Sequence, residues 1–199
     1  MKIICIGDSL TRGYPHGPGH DFPHILQQKY KEPNGGPVVT VNLGVSGETS
    51  GEILSRVRKE EYHLIEGHIA TIIAGSNDFI FDLRNPREVL KQNLAIAAIC
   101  QAKGLKPYLI SPTKTNPVEA ERFWITGDNT DYNKVNQNID HLRDLLKEAA
   151  EEFGYGFLDL DPEYREYGKF VDGLHPTEEG YQLIAKIIAN KLKLVKESK

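Results

Sequence analysis

The sequence has little sulfur chemistry to offer. Its 199 residues hold two cysteines and one methionine. Cys5 lies within an apolar run and Cys100 within a helix-periodic segment, so both read as small buried hydrophobes, and no CxxC or Cys/His metal spacing occurs. Positive charge is also scarce: 24 Lys and Arg against 28 Asp and Glu give a formal charge of -4, and base is concentrated only in the lysine-rich C-terminal stretch. This argues against nucleic acid as a partner. The tail KLKLVKESK reads as the solvated end of a helix rather than a membrane anchor. An export leader needs roughly 7–15 apolar residues, whereas only Ile3–Ile6 precede Gly7. The expectation is a cytoplasmic protein without stable membrane insertion. Neither G-x-x-x-x-G-K-[ST] nor a G-x-G-x-x-G turn after a strand is present, so nucleotide binding and phosphoryl transfer have little support.

What is present suffices for one domain over residues 1–199, with 39% hydrophobic residues to build a core. Short apolar, β-branched runs recur at Lys2–Ile6, Val38–Leu43, Ile69–Ala74, Pro107–Ser111 and Tyr155–Leu160, separated by segments of helical period. The clearest helix runs from Asp131 to Phe153 and stops at Gly154, with Val135, Ile139, Leu142, Leu146, Ala149 and Phe153 on one face. Another starts at NPREVL, where Asn85 caps, Pro86 fits the first turn and Glu88 completes a capping box, and closes at Gly104. Thr49 and Glu52 give TSGEIL a similar start. The last helix follows HPTEEG, with Tyr181, Ile184, Ala185, Ile188, Leu192 and Val195 on one side. Strands alternating with helices predict a three-layer α/β/α sandwich on a flavodoxin-like five-stranded parallel sheet of order 2-1-3-4-5.

In such a sheet the turns after the strands share one edge, where ligands bind. GDSLTRG, NLGVSGETS and AGSNDF follow the first three strands, and VDGLHPTEEG precedes the last helix. Alone, Ser9 reads as a capping hydroxyl and His175 as a packing residue beside a helix start. Together the four turns supply the parts that acyl transfer needs: a nucleophile, an oriented base and donors for an oxyanion. Ser9 would attack, His175 would carry its proton, and Asp172 would hold the imidazole. The backbone N–H groups of Ser9 and Gly44 and the amide of Asn77 would bind the oxyanion. Ser46 is a rival nucleophile by analogy with G-x-S-x-G, but Glu48 stands where that pattern needs its last glycine. Asp8 and Asp78 read as turn and supporting hydrogen-bonding residues.

Four blocks in this order, GDSL at 7–10, Gly44 within NLGVSGETS, GSND at 75–78 and DGLH at 172–175, resemble the GDSL/SGNH hydrolase superfamily, most of all its bacterial lysophospholipase and acyl-thioesterase-like branch. The resemblance implies a flavodoxin-like fold, a Ser9–Asp172–His175 triad, an oxyanion hole from Ser9, Gly44 and Asn77, and ester or thioester hydrolysis without a cofactor. The partner it implies is a small-molecule ester of short to medium acyl chain; acetyl esters and acetylated sugars, thioesters and lysophospholipids all remain open. Phe79, Ile80, Phe81, Phe123 and Trp124 either line an acyl pocket or pack their loops onto the domain. His16, His20 and His24 mimic metal-ligand spacing, but Pro15, Pro18 and Pro23 forbid the continuous helix that would gather them. The alternative to an enzyme is a flavodoxin-like small-ligand-binding module, which would need no reactive serine.

Overall fold

The computed structural model describes residues 1–59, 66–124 and 130–196. The opening run KIICIG forms strand β1 (Lys2–Gly7), whose side chains alternate between two apolar layers. Ile4 and Ile6 join one core with Ile53, Ala97 and Leu142, while Ile3 and Cys5 join the other with Phe22, Leu26 and Ile188. A strand buried on both faces is why the run is continuously apolar. It pairs in parallel with β3 (Val39–Gly44) on one side and β4 (Ile69–Ile73) on the other, with Ile6 opposite both Leu43 and Ile72. Beyond β4 lie β5 (Lys106–Ser111) and β6 (Gly156–Asp159).

The sheet order is β3-β1-β4-β5-β6. Counted over the sheet's own strands this is the expected 2-1-3-4-5, the numbering being displaced by the two-residue strand β2 (Tyr30–Lys31), which stands outside it. Helices α3 (Ser50–Lys59), α5 (Pro86–Ala102) and α7 (Tyr132–Phe153) cover one face; α2 (Phe22–Lys29) and α9 (Glu178–Lys191) cover the other. Local chemistry sets their starts as the sequence indicates. Asn85 and Glu88 form a reciprocal capping box on α5. The Thr49 N–H and hydroxyl donate to Glu52 at 2.8 and 2.7 Å before α3.

The C-terminal tail departs from expectation. Helix α9 stops at Lys191, Lys193 turns the chain with φ of 57°, and Val195 leaves the helical face to form β7 (Val195–Lys196), antiparallel to β2. Leu194 is buried by this reversal and Val195 is exposed. The final three residues of the tail lie outside the described residues. Between β5 and α7 the chain also forms α6 (Pro117–Phe123), started by Asn116 accepting from the Glu119 N–H and by proline in the first turn. Among the described residues no helix is long and apolar enough to cross a membrane.

Strand order reverses at β1, so the turns after β1, β3 and β4 border one crevice. The first turn buries Asp8, 1% exposed, as the cap of α1 (Ser9–Arg12). Its Oδ1 accepts the Leu10 N–H at 3.0 Å, while Oδ2 has no partner among the described residues. Burial pushes this carboxyl up to about 7, against the pull of the Leu10 N–H and of the neighbouring His175, with Asp78 adding to the rise. An unfolded aspartate loses its proton at about 3.9, so between that value and about 7 only the folded chain keeps it. The contribution of Asp8 to stability therefore falls as pH rises through this window and is at its worst above it. Asp8→Asn, whose amide resembles the protonated carboxyl, is expected to melt several degrees above wild type at pH 7.5, with the difference vanishing near pH 4. Thermal melts across pH check this; a constant offset would contradict it.

Candidate active site

Ser9 is the first residue of α1, set down where β1 ends, and is 8% exposed. Its partner comes from 166 positions along the chain: His175 Nε2 lies 3.1 Å from Ser9 Oγ. The imidazole stands on a turn closed by the pairing of Phe170 with Pro176 and by Val171 N–H donating to His175 O at 2.8 Å. Asp172, 3% exposed, organises that turn. Its Oδ1 accepts the N–H groups of Leu174 and His175 at 2.9 and 2.7 Å, and its Oδ2 meets His175 Nδ1 at 2.7 Å. Burial alone would raise this carboxyl, but the ring and the two backbone donors outweigh it and hold Asp172 below its usual range. An ionised Asp172 fixes the proton on Nδ1 and leaves the Nε2 lone pair facing the serine hydroxyl. Gly173 between them has φ of 82°, and a Cβ there would meet the Ala120 backbone N at 2.3 Å. The DGLH spacing thus needs its glycine for both conformation and close approach. Tyr14 and Trp124 flank the ring, with centroids 4.6 and 6.0 Å from that of His175.

Asn77, the second residue of α4 (Ser76–Ile80), faces the same crevice. One of its amide hydrogens is donated to Glu48 O at 2.9 Å, which sets the plane of the amide and leaves the other hydrogen for a ligand. Glu48 is held in turn by Arg56 through contacts of 2.8–3.0 Å, and the same guanidinium donates to Leu43 O. Asp78, fully buried, accepts from the Ser50 N–H at 2.7 Å, the Ser50 hydroxyl at 2.9 Å and Arg84 at 2.9 Å. It ties the turn after β4 to the start of α3, the supporting role read from its position.

Gly44 does not serve as expected. Its N–H is donated to Asn42 Oδ1 at 2.9 Å, and a Cβ there would meet the Arg12 backbone N at 2.2 Å. It is glycine because α1 passes against the end of β3, and it lies away from the cavity wall. Three residues later, Gly47 does line the cavity, with φ of 83°. Nothing among the described residues accepts its N–H, nor that of Ser9. The signal was available: NLGVSGE holds two glycines, of which the second belongs to the turn and the first ends the strand. Ser46 lines the cavity too, but Nε2 is directed to Ser9.

The cavity beside these groups measures about 730 Å³. Phe79, Ile80, Phe81 and Trp124 contribute to its wall, joined by Tyr14, Tyr132 and Leu174, which sequence reasoning did not single out. Phe123 does not: it is 59% exposed and only packs its ring against Trp124, centroids 5.6 Å apart. Residues 125–129 of the same connection lie outside the described residues. Three lining residues carry buried polar atoms without a partner among the described residues: Ser76 Oγ, Thr113 Oγ1 and Trp124 Nε1. The histidines of the Pro/Gly-rich loop split up. His16 and His20 approach Glu178 at 3.9 and 3.3 Å, and His24 pairs with Asp21 at 2.8 Å. Among the described residues no group of three or more His, Cys, Asp or Glu is placed to hold a metal ion.

Several solved structures share this fold. A member of the lipolytic G-D-S-L family from Veillonella parvula is 22% identical, with 96% of this chain and 97% of that one covered at a TM-score of 0.77. An aryl esterase from M. smegmatis is 18% identical over 96% and 98% of the two chains, TM-score 0.80. A carbohydrate acetylesterase from Sinorhizobium meliloti is 16% identical over 96% and 98%, TM-score 0.76. No curated protein sequence matches significantly. Residues 5–183 match the GDSL-like lipase/acylhydrolase family, a span that takes in all four blocks from Ser9 to His175, and the chain belongs to that family.

Proposed function

We propose that this acylhydrolase cleaves carboxylic esters through a covalent acyl-serine formed on Ser9. The observation that carries the reading is the unbroken relay Asp172–His175–Ser9, with contacts of 2.7 and 3.1 Å. His175 Nε2 takes the hydroxyl proton as Ser9 Oγ attacks the ester carbonyl. The carbonyl oxygen becomes an oxyanion, facing the N–H groups of Ser9 and Gly47 and the unclaimed amide hydrogen of Asn77. The imidazolium, stabilised by the Asp172 carboxylate, then gives its proton to the departing alkoxide, and the acyl group stays on Ser9. Water repeats the sequence and releases the acid. Every donor is set before the charge appears, so stabilising it requires no reorganisation.

The substrate class follows from the cavity. Its volume of about 730 Å³ and its aromatic lining suit an ester of short to medium acyl chain rather than a polymer end. One structural relative is named a carbohydrate acetylesterase, which points towards a small acyl group. Thioesters and lysophospholipids belong to the same chemistry. The competing reading, a ligand-binding module, would leave the Ser9–His175 contact without a purpose.

Two measurements test this. A fluorophosphonate probe is expected to label the folded wild type and to leave Ser9→Ala unlabelled; absence of labelling in wild type would favour a binding module. Asn77→Ala is expected to keep the fold while lowering kcat on p-nitrophenyl acetate by about 10²–10³, the usual cost of one oxyanion donor, with KM little changed. Unaltered turnover would remove Asn77 from the mechanism.

A further inference from the structure

The turn that follows β3 is closed only weakly by its own backbone. Glu48 N–H donates to Val45 O at 3.4 Å, and the Gly47 N–H between them has no acceptor among the described residues. A side chain from α3 draws the two ends of this turn together. Arg56 Nε lies 3.0 Å from both carboxylate oxygens of Glu48, and its Nη2 donates to Glu48 Oε2 at 2.8 Å and to Leu43 O at 2.9 Å. One guanidinium thus spans from the last-but-one residue of β3 to the residue after Gly47. Its planar fork fixes angle as well as distance, which the point charge of a lysine does not.

Arg56 is not among the residues that line the cavity, so it can reach the reacting atoms only through others. Two connections lead there. Gly47 directly precedes Glu48 in the chain, and Glu48 O accepts an Asn77 amide hydrogen at 2.9 Å. Helix α3 does not need the pair to stay in place. The contacts of Thr49 with Glu52 and of Ser50 with Asp78 tie its start independently, and Ile53, Leu54 and Val57 bury its inner face. With side chains 15% and 17% exposed, Arg56 and Glu48 are also screened less than a surface ion pair.

We propose that Arg56 is a positioning residue for the oxyanion hole: by gripping Glu48 against the end of β3 it fixes the Gly47 N–H and the Asn77 amide relative to each other. The proposal rests on the serine esterase reading and deepens it. A donor that is displaced is still present, but it no longer meets the charge as it develops. Loss of the clamp therefore weakens transition-state stabilisation rather than substrate binding, and the loss falls on the donors to which Asn77 belongs.

Arg56→Met keeps the apolar stem and removes the fork. It is expected to lower kcat on p-nitrophenyl acetate by about tenfold, part of the 10²–10³ that a whole donor costs, with KM changed by less than about twofold. Arg56→Lys, which keeps the charge, should restore only part of the loss, and the acid limb of the pH–rate profile should stay where it is, since the Asp172–His175 contact is untouched. The deciding measurement is the double-mutant cycle with Asn77→Ala. In that background Arg56→Met is expected to cost about threefold or less, because one of the donors it aligns is gone. Equal factors in the two backgrounds, or wild-type turnover in Arg56→Met, overturn the positioning role. Should Arg56→Met fail to fold, the same cycle with Arg56→Lys decides by the same criterion. The esterase reading fails separately, if wild type neither cleaves p-nitrophenyl acetate nor takes the fluorophosphonate label.

Discussion

The arrangement of the crevice depends on β1 being hydrogen-bonded along both edges. Its parallel registers with β3 and β4 fix where the strand ends, and its two buried faces forbid a slip of one residue, which would exchange the two apolar layers. Gly7 is the last paired residue on both sides. A Cβ there would meet Thr11 Oγ1 at 2.3 Å and Ile73 O at 2.5 Å, so the chain turns into α1 through a space that admits only glycine. Ser9 is therefore positioned by the sheet itself, two residues beyond the last paired residue of β1. A nucleophile held this way loses little orientational freedom when substrate arrives.

The proposed oxyanion donors need a second level of support, because they come from turns after three different strands. Buried Asp78 and partly buried Glu48 provide it with paired charge. The Asp78 carboxylate spans from α4 to the first residue of α3 and is neutralised by Arg84, while Arg56 grips both Glu48 and the end of β3. Such pairs repay their desolvation only when the hydrogen bonds are complete, and these carboxylates each take at least two. Their value is in geometry. Glu48 O orients the Asn77 amide, so the Glu48–Arg56 pair sets the distance between the Gly47 turn and Asn77.

How much of this the sequence made legible follows from which groups do the chemistry. The roles proposed for Ser9, Asp172, His175 and Asn77 are side-chain roles, and the identity and order of side chains along the chain are written in the letters. The five sheet strands were legible because burial on two faces demands continuous apolar runs. A backbone donor has no letter of its own, and the expected Gly44 yielded to Gly47 once the end of β3 and the following turn could be told apart. Phe123 and Trp124 are neighbours of like composition, but the end of α6 turns one outward and the other towards His175. Val195 kept the helical period and still left the helix, since Lys193 reverses the chain and Val195 pairs with Lys31, 164 residues away.

Asp8 joins these levels. As the cap of α1 its Oδ1 takes the N–H of Leu10, the second residue of the helix, and so stops short of the first. No described residue accepts the Ser9 N–H, one of the donors of the proposed oxyanion hole. An ionised carboxylate at Asp8 would stand next to the charge developing there and oppose it. Burial counters the problem by pushing the acid up to about 7, so that near neutrality a substantial fraction of the chain carries an uncharged cap beside the oxyanion. The desolvation that weakens the fold as pH rises is thus the same effect that removes a competing charge from the site. On the proposed mechanism, a residue without a proton-transfer role would thus shape the field in which the transition state forms.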